Sequence, residues 1–206
     1  MSLNLVFLMT YDLLIVCYVT FLIQQAIAYK SKFGYLCEAS GLGELKNTHH
    51  NIYNLGYFLF GFFSLWFTYD LSLALAPNPM TSIAITLMYV ANISLCFIAL
   101  FPRDTAHLSH TLASIVMFFC GTSSLILLTI PFYQSPIIPK AIIPFNALIA
   151  IMMMYYLFLK IKYFRISGKL DNNMEKIVSI WEWIPFISTY VWFFIVNNIL
   201  IFQIVK

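Results

Sequence analysis

Residues 82–101 read SIAITLMYVANISLCFIALF, twenty positions without a charge, lying between Pro77-Asn78-Pro79 and Pro102-Arg103-Asp104. A helix rises about 1.5 Å per residue, so this stretch is about 30 Å long, the thickness of a bilayer's hydrocarbon core. Proline on either side marks where the helix must give way to a turn. The stretch reads as a transmembrane helix and sets the scale for the rest of the chain.

Five further segments pass the same test. The six predicted spans run about 5–28, 52–76, 82–101, 112–130, 138–159 and 184–204, with Pro131 and Pro136 ending the fourth. Composition agrees: of 206 residues 62% are hydrophobic, 18% aromatic and 9% charged, where a soluble domain carries about a quarter charged residues. A soluble globule is excluded. So is a basic nucleic-acid surface, because 11 Lys+Arg stand against 8 Asp+Glu. The expected fold is all-α, a single polytopic bundle of six transmembrane helices over residues 1–206. The first span is expected to be retained, since it exceeds a signal-peptide core and no Lys or Arg precedes Lys30. Cys17, Cys96 and Cys120 lie in apolar runs and Cys37 in a loop, which predicts buried free thiols rather than a disulfide framework.

Orientation follows from the basic residues. With six spans, one side of the membrane holds Lys140 and Lys206, and the other holds Lys30, Lys32, Lys46, Arg103, Lys160, Lys162, Arg165, Lys169 and Lys176. Both termini are therefore expected outside an inner or plasma membrane, with three basic loops in the cytoplasm. In the last of these, Asn172 and Glu175 have the spacing of an N-cap and its reciprocal glutamate. Met174, Ile177, Val178 and Trp181 then share a helical face. A short interfacial helix is predicted there, with Trp181 and Trp183 at headgroup depth and Pro185 in the first turn of the sixth span.

Polar residues gather toward the basic side. The first basic loop runs Ser40-Gly41-Leu42-Gly43-Glu44 to His49-His50-Asn51 and on to Asn54 and Gly56. The third-to-fourth connection holds Arg103, Asp104, His107 and His110, and the last loop supplies Glu175 and Glu182. Asp104, His107 and His110 recur every three residues, one stripe if helical. Such a stripe has the donors for a divalent metal on His107 and His110, with His49 or His50 completing the shell. It equally suits a proton relay in which His110 is the acid/base and Asp104 orients it. Capping and wet helix ends explain the same residues without any site. Gly41-Leu42-Gly43 follows no strand, so a nucleotide loop fails on context.

Phe101-Pro102-x-Asp104 followed by His110-Thr111-Leu112-Ala113 and Phe118-Phe119, Asn54-Leu55-Gly56, and Glu175-Lys176-Ile177 form a recurrent pattern. It resembles an uncharacterised family of six-span prokaryotic membrane proteins related to the DRAM/Frag/Sfk-like superfamily. The resemblance implies six spans, and the wider superfamily's association with lipid-anchor remodelling, membrane lipid organisation and lysosomal membrane regulation points to a lipid.

A second polar layer lies toward the outer half: Asp12 and Asp70 at one expected depth, with Asn146 and Asn197-Asn198 at similar levels. Intramembrane carboxylates cost on the order of 3 kcal/mol each and face protein or water. Buried and close together, at least one of them should have a raised pKa and carry a proton. The expected function is thus binding or processing of a membrane lipid by Asn54, Arg103, Asp104, His107, His110 and Glu175, with Arg103 on a phosphate. The alternatives are proton- or cation-coupled transport through Asp12 and Asp70, or a non-catalytic subunit that binds a membrane-protein partner or its own copy. No motif names a cofactor or decides for an enzyme.

Overall fold

Tyr11 and Tyr18 stand seven residues apart on helix α1 (Leu3–Phe33), two turns along one face, and both are buried against α2 (His50–Ala74). A computed structural model describes the backbone of residues 3–33, 39–44, 47–167 and 172–205, and the side chains of 4–30, 39–44, 47–159, 161–162 and 177–205. A 3-10 turn, Ala39–Gly43, separates α1 from α2, and four helices follow: α3 (Pro79–Leu100), α4 (His107–Gln134), α5 (Ile142–Ser167) and α6 (Asn172–Val205). Each helix packs on the next, α6 returns to α1, and α6 also touches α2. The bundle is a closed antiparallel ring, all-α among the described residues.

Five of these helices are long and apolar enough to cross a membrane: all but α2. Large apolar side chains such as Leu13, Leu73 and Ile151 face outward, as lipid-facing residues must. Helix α2 has the length, at 25 residues, but buries Tyr53, Tyr57, Gly56, Gly61, Ser64, Thr68 and Asp70. Its inward face is polar and aromatic, which lowers its hydropathy below that of its neighbours.

Hydrogen bonds from side chain to neighbouring backbone mark the seams. Tyr18 Oη donates to Tyr53 O at 3.0 Å across α1–α2, and Asn92 Nδ2 to Ser64 O at 3.1 Å across α2–α3. Ser124 Oγ donates to Ala84 O at 2.8 Å across α3–α4, and Asn146 Nδ2 to Leu125 O across α4–α5. Asn197 Nδ2 closes the ring by donating to Leu8 O at 2.8 Å. A helical carbonyl keeps a second lone pair free for such a bond. In lipid, helices gain no hydrophobic drive to associate, so close packing and bonds worth about 0.6 kcal/mol each hold them together. Packing between α2 and α3 is close at Gly61, where an added Cβ would stand 2.7 Å from Cys96 Sγ and 3.1 Å from Asn92 O.

Several sequence expectations change. The predicted interfacial helix is the N-terminal part of one continuous 34-residue α6, which runs through Pro185. Proline leaves the Trp181 carbonyl without its helical donor, but packing holds the helix before and after it. Trp181 lies against Tyr155 at 4.6 Å, Phe186 stacks on Tyr57 at 5.6 Å, and Thr189 Oγ1 donates to Pro185 O. Trp183 is buried within the bundle. The side chains of the expected cap, Asn172 and Glu175, lie outside the described residues. Helix α4 likewise passes Pro131 and stops at Gln134, where Ser135 N donates to Pro131 O and Lys140 Nζ to Ser135 O. It starts five residues before the predicted 112 span boundary, at His107, with Ala106 as N-cap and no side-chain cap bond. By contrast α3 opens as its sequence dictates, with Asn78 accepting from Thr81 N at 2.8 Å and Pro79 behind it. Cys17 is exposed and Cys96 half-buried, leaving Cys120 as the buried thiol; Cys37 lies outside the described residues.

Candidate functional site

At the end of the bundle where α1 finishes and α2 begins, the 39–43 turn folds down onto the helices. Ala39, Leu42 and Gly43 are buried. Asn54, one turn into α2, donates to Gly43 O at 3.1 Å, and Asn47 Nδ2 donates to Gly41 O. His50 Nδ1 lies 2.7 Å from Asn47 O, so a ring proton on that nitrogen bonds the loop to α2. From α6, buried Glu182 accepts the Ser40 N–H at 3.4 Å. A side chain at Gly43 would collide with Asn54 and the Tyr53 ring, so glycine here permits close approach of the turn. The turn is thereby pinned to two helices that are far apart in sequence.

Beside it lies a pocket of about 220 Å³, open on one side. Helix α1 lines it with Phe21, Gln25, Ala28 and Tyr29, the turn with Leu42, the loop with Asn47, Thr48 and His49, and α2 with Tyr53. Amide, hydroxyl and imidazole groups thus share one small space with three aromatic rings. Ile23 and Ile27 are exposed on the opposite side of α1, the latter at 62%.

The other residues of this end are dispersed. Pro102 turns the chain through Asp104 and Thr105, so α4 begins only at His107 and the expected stripe breaks. Asp104 and His107 are exposed, Arg103 is half-buried, and His110 alone turns inward, with Nδ1 2.9 Å from Phe101 O at the end of α3. Among the described residues no three His, Cys, Asp or Glu side chains gather as a metal shell. Glu175 lies outside the described side chains. Asn54 is spent on the turn, as the geometry above requires.

The outer layer is two separate sites. Asp70 Oδ1 accepts from Asn4 Nδ2 at 3.2 Å, whereas Asp12 Oδ1 accepts from Asn197 Nδ2 at 2.8 Å. Asn4 lies eight residues before Asp12 on α1, which is about 12 Å along the axis. The two aspartates therefore sit two turns apart, on different seams, where the sequence reading put them level. The antiparallel register explains it: Tyr11 pairs with Ser64, at 2.6 Å, so Asp12 stands level with the middle of α2. Asn146 and Asn197 are fully buried interhelical donors.

Sequence reasoning missed Gln25, Tyr29 and Asn47, which read as span and loop. It noted Glu182 only as bordering the membrane. A carboxylate between two tryptophans within an apolar run was the available signal for its burial.

The family profile described as "Protein of unknown function (DUF998)" matches residues 14–197. No curated protein matches the chain, and no solved structure does. Nothing in these matches joins the family to the DRAM/Frag/Sfk-like superfamily.

Proposed function

The chain belongs to the DUF998 family of proteins of unknown function, and from that premise we propose that it is a six-span membrane protein that binds the headgroup of a membrane lipid in the pocket between α1, the 39–43 turn and α2. The observation that carries this reading is the pocket's lining. Gln25, Asn47 and His49 offer hydrogen bonds within a recess walled by Phe21, Tyr29 and Tyr53, at the end of a bundle whose outer face is apolar. A ligand satisfying both surfaces has a polar head and an apolar tail. The volume of about 220 Å³ is below the usual range of about 300–1,000 Å³ for whole small-molecule ligands. It suits a headgroup whose chains stay in the bilayer.

The sixth span is α2. Its 25 residues extend about 37 Å, and it is bonded to both neighbours, α1 and α3, each of which is apolar enough to cross. Nine of eleven basic residues then fall on the pocket's side, which the positive-inside rule assigns to the cytoplasm. Arg103, Asp104, His107 and His110 lie at the same end but line no part of this pocket, so they are not included in the site.

Native mass spectrometry of the protein released gently from its own membrane tests the reading. A stoichiometric lipid adduct is expected, lost in the Gln25→Leu/His49→Ala variant, which removes two pocket polar groups without breaking a bond that holds the turn. A bare polypeptide mass, or an adduct indifferent to both substitutions, refutes it. Cysteine-labelling of loop positions from each side of sealed vesicles checks the span count and the cytoplasmic assignment.

A further inference from the structure

Asp12 has a setting that neither the pocket nor the ring's packing explains. It lies nine residues into α1, about 13 Å from the helix start, where an uncompensated carboxylate is costly. Its partners are amides: Asn197 Nδ2 donates to Oδ1 at 2.8 Å, and Asn198 is within hydrogen-bonding reach. That same Asn197 N–H pair also holds Leu8 O at 2.8 Å, one turn earlier on α1. Asn197 is wholly buried, and its Oδ1 has no hydrogen-bond partner.

The groups facing Asp12 can be named helix by helix. On α1 the adjacent titratable group is Tyr11, whose hydroxyl is engaged by Ser64. Helix α2 brings Asp70 no nearer than two turns outward, where Asn4 holds it. Helix α6 brings the two asparagines. Among the described residues no Lys, Arg or His bonds to Asp12.

We infer that Asp12 is a proton-binding site at the α1–α6 seam, carrying its proton on Oδ2 while Oδ1 accepts from Asn197. A neutral carboxyl resolves the charge that amides alone leave in place. The orientation of Asn197 favours a proton over a metal cation, because an N–H, not an oxygen, points at the carboxyl; a cation would require Oδ1 there. Loss of the proton puts a full charge on the seam that closes the ring, and the seam must then admit water or part. The site is independent of the lipid pocket, which uses the other end of α1.

Asp12 also sits beside Met9, Leu13 and Val16, all exposed on the lipid side of α1. A lipid-soluble carbodiimide therefore reaches it. Such reagents need the protonated acid: the acid proton moves to the carbodiimide nitrogen, the carboxylate oxygen adds to the central carbon, and rearrangement leaves a stable N-acylurea. The full chain, reconstituted in phosphatidylcholine vesicles, is treated with dicyclohexylcarbodiimide over a range of pH and mapped by peptide mass. The expected result is one adduct on Asp12 whose yield falls as pH rises. Asp12→Asn, the isostere of the protonated acid, should remain folded and lose the adduct, while Asp70→Asn keeps it. Infrared spectra should show a carboxylic-acid carbonyl band missing from Asp12→Asn. An adduct confined to Asp70, or no adduct and no Asp12-dependent acid band at any pH, overturns the inference.

Discussion

Substituting Gly61 with Ala tests how tightly the ring is drawn at α2–α3. The new methyl would stand 2.7 Å from Cys96 Sγ, 3.1 Å from Asn92 O and 3.2 Å from Cys96 N. Rotating the Cys96 side chain relieves the first contact, but the other two are backbone atoms of α3. The helices must separate by a few tenths of an ångström. That strains two bonds already at their natural length, Asn92 Nδ2 to Ser64 O at 3.1 Å and to Thr68 Oγ1 at 2.9 Å. Overpacking of this kind costs about 1–3 kcal/mol, and the weakened bonds add about 0.6 kcal/mol. Against this, Ala in place of Gly favours the helix by about 1 kcal/mol. The net is a loss of about 0.6–2.6 kcal/mol. Gly121 supplies the matched control, for there a methyl meets only Ala91 Cβ at 3.8 Å, an ordinary contact. Gly121→Ala should be neutral or stabilising by up to about 1 kcal/mol. Unfolding of each variant in mixed micelles under increasing denaturing detergent measures both signs. Adding Cys96→Ala to Gly61→Ala should restore only part of the loss. Equal stability of the two single variants would refute the close approach.

Other expectations concern single bonds. Tyr18→Phe removes the hydroxyl that reaches Tyr53 O and should cost about 1 kcal/mol, read in the same unfolding assay. Lys140→Met removes the ammonium that serves the last carbonyls of α4; because Lys140 is exposed, the loss should be near 1 kcal/mol, seen as faster amide exchange confined to the 132–138 segment. Asn54→Ala frees Gly43 O and should release the 39–43 turn, so that protease cuts near it and the lipid adduct weakens, while the helical content is unchanged by circular dichroism.

Much of the architecture was legible because the bilayer imposes one length on every span. Ser82–Phe101 announces its helix by lacking any charge between prolines, and Asn78-Pro79 caps it as written. Legibility failed where helix rules and membrane rules differ. Pro131 and Pro185 signal breaks in water, yet both helices run on through them, packed on their neighbours by contacts such as Trp181 on Tyr155 and Phe186 on Tyr57. Helix α2 looked like its neighbours by length, but its buried tyrosines, glycines and Asp70 set it apart by hydropathy. The Asp104-His107-His110 spacing implied one helical face, and Pro102 denied it by holding Asp104 in a turn. The pocket was invisible for a different reason. Gln25 and His49 come from segments joined only when the 39–43 turn folds back, and no periodicity records that contact.

The bond from Asn197 to Leu8 also sets an order of events. The other bonded seams join helices adjacent in the chain, so each can form as soon as a second helix follows the first into the membrane. Asn197 is 189 residues from Leu8, and its seam cannot form until nearly the whole chain has been made. Until then the flank of α1 that carries Asp12 has no amide to meet. A nascent chain that stalls before α6 is left with an unanswered carboxylate facing lipid, a mark by which incomplete copies differ from finished ones.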